Sequence, residues 1–93
     1  MKIIYEPRFV GSFNDIWNYI CLDSKNRANT FKSELKEKIE ELDYMPYKYR
    51  KSIYFDDENI RDFIFKGYIL PYKIDKSNDT LTILGINKYK KEL

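Results

Sequence analysis

With 93 residues, of which 43% are hydrophobic and 34% charged, the chain is long enough for one small packed domain and too apolar for wholesale disorder. One cysteine and no histidine exclude an intrachain disulfide and every nucleophile–histidine pair, and the single thiol suits a reducing compartment. No apolar run approaches the ~20 residues of a membrane span, and the N-terminus lacks the apolar core of a signal peptide. We therefore expect one cytoplasmic domain over residues 1–93 and no membrane partner.

The net charge of +2 is distributed unevenly. Residues 1–47 hold seven Lys/Arg and eight Asp/Glu, whereas residues 48–93 hold ten and seven. A mildly cationic C-terminal half favours nucleic acid or an acidic protein as a partner. Aromatic residues make up 17% of the chain and include nine tyrosines, which suit a binding face as well as a small core.

The chain opens with a predicted strand and helix. Residues 2–6 form a short β-branched run that Pro7 stops. Ser12, followed three residues later by Asp15, resembles a capping box, and the apolar spacing after it predicts an amphipathic helix over residues 13–22. The apolar positions of this helix are Phe13, Ile16, Trp17, Ile20 and Cys21. We expect Trp17 to be a core residue and Cys21 to be a buried, inert thiol.

A second helix follows directly. Asp23 and Ser24 are its predicted caps, and Pro46 ends the element. One apolar stripe runs along it, formed by Ala28, Phe31, Leu35, Ile39 and Leu42. Because the link between the two helices is short, they should pack as an antiparallel hairpin.

Residues 47–59 are polar and aromatic, and this composition predicts a loop or short strand. Three strands follow this segment. These strands lie near residues 60–66, 68–75 and 80–87, with turns at Lys66-Gly67 and residues 77–79. The nitrogen of Pro71 should face an edge or a bulge, because proline cannot donate a ladder hydrogen bond. We expect Tyr68 and Tyr72, which share one face of the middle strand, to pack in the core.

The order of these elements predicts a two-layer α+β domain. It consists of an N-terminal strand, an antiparallel helix hairpin and a three-stranded antiparallel sheet, with both helices on one sheet face. The other face is then partly open and could serve as a binding surface.

No catalytic metal or cofactor site is predicted. Asp56-Asp57-Glu58 lacks the spaced ligands and central glycine of a calcium loop and is expected to be a solvated turn. Three glycines form no phosphate-binding loop. We therefore expect neither a cofactor nor a bound metal.

The remaining candidates are cations and a tyrosine, which could contact phosphates and unstacked bases or could be ordinary surface. Arg61 should share a strand face with Phe63 and Phe65, so its guanidinium is expected to lie over an aromatic ring or reach a carboxylate, and a structural role is an alternative to a functional one. The full set is Arg50, Lys51, Arg61, Lys66, Lys88, Tyr89, Lys90 and Lys91.

Several short patterns follow one another along nearly the whole chain. They are the opening strand, Asp15–Ile20, the Ala28, Phe31 and Leu35 pattern, the exit through Ile39, Leu42 and Pro46, the strand start at Ile60-Arg61, Gly67-Tyr68 followed by Tyr72, and residues 83–86. Their order and spacing resemble the RelE/ParE superfamily, the small toxins of bacterial type II toxin–antitoxin pairs. This resemblance implies a growth inhibitor that a cognate antitoxin neutralises with an acidic, partly helical segment. The C-terminal cations and the groove between helices and sheet are the expected contacts.

The resemblance implies two possible targets. RelE-like toxins cleave mRNA on the ribosome with Lys and Arg on the sheet, an Arg directly after the Gly-Tyr of the middle strand, and an Arg, His or Tyr near the C-terminus. ParE-like toxins lack this set and poison DNA gyrase. Ile69 follows Gly67-Tyr68 here, which favours gyrase.

Two alternatives to the gyrase prediction stay open. If the chain is instead a ribosome-dependent endoribonuclease, the candidate catalytic residues are Arg61, Lys66, Lys88 and Tyr89. The cations expected to bind nucleic acid or antitoxin are Arg50, Lys51, Lys90 and Lys91. The other alternative is a degenerate toxin that acts only as a binding module.

Overall fold

The computed structural model of the chain describes residues 1–88. Two helices, α1 (Pro7–Asp23) and α2 (Lys25–Glu41), pack as a hairpin on one face of a sheet. The strands are β1 (Lys2–Tyr5), β2 (Ile60–Phe65), β3 (Tyr68–Asp75), β4 (Thr80–Ile83) and β5 (Asn87–Lys88). The predicted two-layer α+β architecture is confirmed.

The sheet joins the start of the chain to its last long strand. The strand order is β1-β4-β3-β2, and β1 runs parallel to β4 with Ile3 opposite Leu81. The pairs β2–β3 and β3–β4 are antiparallel, as predicted. The sequence had predicted an N-terminal strand without giving its partner.

The strand predicted over residues 80–87 is interrupted by a bulge. Ile83 lies opposite Tyr72, but Asn87 lies opposite Ile69, so one extra residue is accommodated between them. The carbonyl of Pro71 accepts the Leu84 N–H at 2.8 Å on this side of β3. Because the N and O of one residue point the same way in an antiparallel strand, the nitrogen of Pro71 faces the bulge, as predicted.

The predicted start of the first helix was wrong. The helix begins at Pro7 rather than at residue 13, and Ser12 lies inside it, so the expected capping box does not form. Proline suits the first helical position because its fixed φ is helical and its missing N–H is not needed there. The helix also tolerates Gly11, at a cost of about 1 kcal/mol relative to alanine.

The predicted Ser24 cap is confirmed. Its hydroxyl oxygen accepts the Arg27 N–H at 3.2 Å, and Asp23 pairs with the Arg27 guanidinium at 2.8 Å. The helix ends at Glu41, before the predicted terminator Pro46, because a turn over residues 42–44 closes it first.

Replacing Ser24 with alanine should lower the free energy of unfolding by about 1 kcal/mol, because an N–H at the start of α2 loses its acceptor. Thermal denaturation followed by circular dichroism measures this change. Ser33→Ala, on the exposed face of the same helix, is the matched control. Equal stability of the Ser24 variant and the wild type would contradict the capping role.

The core lies between the helix hairpin and the sheet. Phe31 of α2 contacts three rings, with centroids 6.2 Å from Phe13, 5.4 Å from Phe65 and 5.8 Å from Tyr68. Tyr72 is fully buried, which confirms its predicted core role, whereas Tyr68 is half-buried and packs against the cluster. The other main members of the cluster are Phe9, Leu35, Ile39, Leu42, Phe63, Leu70, Ile74, Leu81, Ile83 and Ile86.

Two predicted core residues of α1 are less buried than expected. Trp17 and Cys21 are half-buried and lie outside the main cluster. Among the residues of α1, only Phe9 is fully buried. The Trp17 indole nitrogen is buried without a hydrogen-bond partner among residues 1–88.

Residues 50–52 extend the sheet beyond β2. The Ser52 N–H donates to the Ile60 carbonyl at 2.8 Å, and the Asp62 N–H donates to the Arg50 carbonyl at 3.1 Å. Lys51 and Arg61 form an antiparallel bridge. The predicted loop or short strand over residues 47–59 therefore covers one end of an edge strand, which limits unwanted pairing there.

Candidate functional site

Arg61 holds the segment before β2 in place. Its Nε donates to the Glu58 carbonyl at 3.0 Å, and its Nη1 donates to the Tyr49 carbonyl at 3.2 Å. Its guanidinium lies 4.9 Å from the ring centroid of Tyr47, and Nη2 is 3.6 Å from the Glu58 carboxylate. The predicted contacts with a ring and a carboxylate are confirmed, although the ring is Tyr47 rather than Phe63. With 18% of its side chain exposed, Arg61 is engaged in structure.

Lys51 is neutralised by the acidic turn that follows it. Its Nζ donates to Asp56 at 2.8 Å and lies 3.9 Å from Glu58. The hydrogen bond that Lys51 donates to Asp56 raises the pKa of Lys51, and the same bond lowers the pKa of Asp56. Sequence reasoning treated residues 56–58 as a solvated turn and missed this pairing, because the partners meet only once the chain has turned back.

Lys66 and Lys88 lie at the other end of the sheet from Arg61. Lys66 occupies the β2–β3 turn with a φ of 45° and pairs with Glu34 of α2. Lys88 is exposed and lies opposite Tyr68. At the rise of an extended strand, Arg61 and Lys66 are roughly 16 Å apart, so these two candidate catalytic residues do not meet at one point.

The other predicted cations form no common site in the described chain. Arg50 is exposed at the sheet edge, and its carbonyl accepts a hydrogen bond from the Asp62 N–H. Tyr89, Lys90 and Lys91 lie outside the described residues.

Ile69, which follows the Gly-Tyr pair, has uncharged neighbours in the sheet. It is 1% exposed on the sheet face turned away from the helices. Its neighbours across the sheet are Ile64 and Asn87, and Pro71 shares its face on the same strand. No titratable side chain occupies these neighbouring positions.

Tyr72 illustrates a buried hydroxyl with a structural role. It donates a 2.5 Å hydrogen bond to the Pro46 carbonyl, which ties the exit of the helix hairpin to β3. Burial raises the pKa of Tyr72 well above its ordinary value of 10.0. The phenol therefore stays neutral over the whole physiological range.

Replacing Tyr72 with phenylalanine should cost about 1 kcal/mol at neutral pH, since the Pro46 carbonyl loses its donor. A raised pKa in the folded state means that the stability contribution is complete below about pH 10 and declines above it. The variant should therefore lose less stability than the wild type between pH 9 and 11. Urea titrations across this pH range measure the difference, and parallel pH profiles would contradict it.

An apolar groove runs between α1, α2 and the end of β1. Its volume is about 330 Å³, and two lysines, Lys32 and Lys36, stand at its rim. No acidic side chain lines it within residues 1–88. The remaining lining residues are Tyr5, Phe9, Val10, Phe13, Asn14, Leu35 and Ile39. This combination suits an amphipathic segment with an acidic face.

The described chain offers neither a metal site nor a membrane span. Within residues 1–88, no three His, Cys, Asp or Glu side chains come together as a metal site requires. In the same range, no helix has both the length and the apolar character needed to cross a bilayer.

Solved structures of toxin–antitoxin systems are among those that share this fold. A chain of the chromosomal ParDE toxin–antitoxin system from P. aeruginosa superposes with a TM-score of 0.75 at 13% identity, over 97% of each chain. The isolated E. coli RelE toxin superposes with a TM-score of 0.66 at 16% identity, over 98% of this chain and 86% of the toxin. No curated protein sequence gives a significant match.

The sequence itself matches one family model, described as the ParE toxin of the type II toxin–antitoxin system parDE, over residues 3–92. This match spans nearly the whole chain and agrees with the fold. An antitoxin is therefore its partner, as the system requires. The chain belongs to the ParE toxin family of type II toxin–antitoxin systems.

Proposed function

We propose that this toxin arrests growth by poisoning DNA gyrase in the cytoplasm, with residues 1–93 acting as one functional domain. The observation that carries the proposal is that the neighbours of Ile69 in the sheet carry no charge. A ribonuclease of the RelE kind needs cations that converge near this position, and Ile64, Asn87 and Pro71 occupy its surroundings instead.

The positions of the candidate cations support the same target. Arg61 donates hydrogen bonds to two backbone carbonyls, and Lys51 is paired with Asp56. General acid–base chemistry on RNA requires groups within hydrogen-bond reach of one reacting centre. Arg61 and Lys66 do not meet this requirement, because they lie at opposite ends of β2.

Controlled expression in a bacterium tests the target. We expect growth arrest with intact mRNA, relaxed plasmid and gyrase-dependent DNA breaks. Purified toxin should inhibit supercoiling by gyrase in vitro. Growth arrest with new in-frame mRNA cleavages would show that the target is mRNA on the ribosome and not gyrase. Lys88→Ala with Tyr89→Ala would then be the first variants to examine. A tight antitoxin complex without arrest would leave only a binding module.

We also propose that the antitoxin binds the groove between α1 and α2. The rim lysines Lys32 and Lys36 would face acidic side chains of the antitoxin, while its apolar side chains would cover Phe9 and Leu35. The exposed side chains of Tyr5 and Val10 at the groove would then become buried.

A charge reversal at the groove rim should weaken the complex. Lys36→Glu is expected to reduce affinity for the co-encoded antitoxin about tenfold, because like charges then face each other across the rim. Lys25→Glu, on the same helix but outside the groove, is the matched control. Titration calorimetry measures both variants, and equal affinities would place the antitoxin elsewhere.

A further inference from the structure

Three consecutive hydrophobic residues stand exposed beyond the open face of the sheet. Ile53, Tyr54 and Phe55, here called the 53–55 ridge, are 60%, 49% and 42% exposed. Ile64 of β2 adds a fourth apolar side chain, 44% exposed, on the face turned away from the helices. Contiguous exposed apolar residues of this kind are typical of interaction sites.

Buried polar side chains fix the backbone of the ridge. Asp62, 1% exposed, accepts the Ile53 N–H at 2.9 Å through one carboxylate oxygen. Its other oxygen has no hydrogen-bond partner among residues 1–88. The Ser52 hydroxyl oxygen accepts the Tyr54 N–H at 3.1 Å. A buried carboxylate with only one hydrogen-bonded oxygen costs folding free energy. Here it orders a segment whose side chains point to solvent and do not complete the core.

A small cleft separates the ridge from the first turns of α1. Its volume is about 140 Å³, enough for one inserted side chain. Arg8 supplies its only charge within the described chain, and Arg8 makes no ion pair among residues 1–88. The other lining residues are Ser12, Tyr54, Phe55, Pro71, Leu84, Gly85, Ile86 and Asn87. Aromatic walls beside a guanidinium are complementary to an apolar side chain that lies next to a carboxylate.

We infer that the 53–55 ridge and the Arg8 cleft form the surface with which the toxin binds its target protein. This inference rests on the proposed function, so the expected occupant is a segment of DNA gyrase that carries an aliphatic or aromatic side chain next to an acidic one. The antitoxin groove uses another side of α1. Phe9, Val10 and Phe13 line that groove, whereas Arg8 and Ser12 line the cleft.

Site-specific photocrosslinking to purified gyrase holoenzyme tests the inference. A photoreactive phenylalanine replaces Tyr54 in one variant and, as controls, Tyr19 or Tyr44 in two others. Both control residues are exposed and lie away from the cleft, at 76% and 88%. We expect a crosslink to gyrase from position 54 and none from the controls.

The outcomes separate this inference from the proposed function. If the toxin inhibits gyrase but crosslinks only from position 19 or 44, the ridge is not the binding surface and the gyrase target stands. If the toxic wild-type protein does not inhibit gyrase and none of the three variants crosslinks to it, both proposals fail. Crosslinking from position 54 only to a second copy of the chain would also overturn the inference, since the ridge would then be a dimer contact.

Substitution of the same surface gives a second readout. Tyr54→Ser combined with Phe55→Ser should weaken gyrase inhibition at least tenfold while thermal stability and antitoxin affinity are retained. Arg8→Glu should act in the same direction by repelling the expected carboxylate. Tyr44→Ser is the control with unchanged inhibition. Full inhibition by the double variant would overturn the inference.

Discussion

Replacing Phe31 with alanine is expected to lower the free energy of unfolding by about 3–5 kcal/mol, the largest effect of any substitution considered. The ring lies within aromatic contact of Phe13, Phe65 and Tyr68, so it joins both helices to the β2–β3 hairpin. Its removal would leave a cavity where three elements meet, and a domain of this size has little stability in reserve.

Urea denaturation followed by circular dichroism measures the Phe31 effect. Phe31→Leu should retain more than half of the lost stability, because a branched aliphatic side chain refills part of the cavity. Asn29→Ala, at an exposed position of the same helix, is the control with little change. A loss below 1 kcal/mol for Phe31→Ala would show that the helices and the sheet do not depend on this contact.

Replacing Arg61 with alanine should destabilise the protein by about 2–3 kcal/mol, because charge-assisted hydrogen bonds to the Glu58 and Tyr49 carbonyls are lost. Arg61→Lys should recover only part of this loss, since one ammonium cannot reproduce the planar donors and the stacking on Tyr47.

The two possible roles of Arg61 give different results. If its role is structural, growth inhibition by both variants should fall only as far as the folded fraction falls, and should return at lower temperature. Lys48→Ala, at an exposed neighbouring position, is the control. A stable, fully folded Arg61→Ala protein without toxicity would contradict the structural role and restore Arg61 as a catalytic candidate.

The sequence predicted those parts of the fold that depend on local patterns. The stripe of Phe31, Leu35 and Ile39 placed α2 correctly, and the turn residues between the strands placed β2 and β3. The start of α1 was missed because Pro7, which follows the end of β1, also occupies the first helical position. The partner of β1 was not predicted, because pairing with a strand far along the chain is not encoded in local spacing.

The candidate site was harder to predict for the same reason. Residue types identified Arg61 and Lys51 as cations, but Glu58 and Asp56 neutralise them only after residues 47–59 fold back along β2. The sequence also did not indicate that Tyr54 and Phe55 are exposed, because aromatic side chains are usually expected to be at least partly buried. Asp62, which accepts the Ile53 N–H, is a single acid inside a strand, and its residue type alone does not indicate this contact.

The parallel pairing of β1 with β4 has a consequence for synthesis. Lys2 lies opposite Thr80, so β1 cannot pair until β4 has been synthesised. Contacts of such long sequence separation form slowly, and chains grow at about 5–20 residues per second. A growing toxin therefore lacks its complete sheet until β4 has left the ribosome. This delay leaves time for an antitoxin to be present when the toxin first becomes able to act.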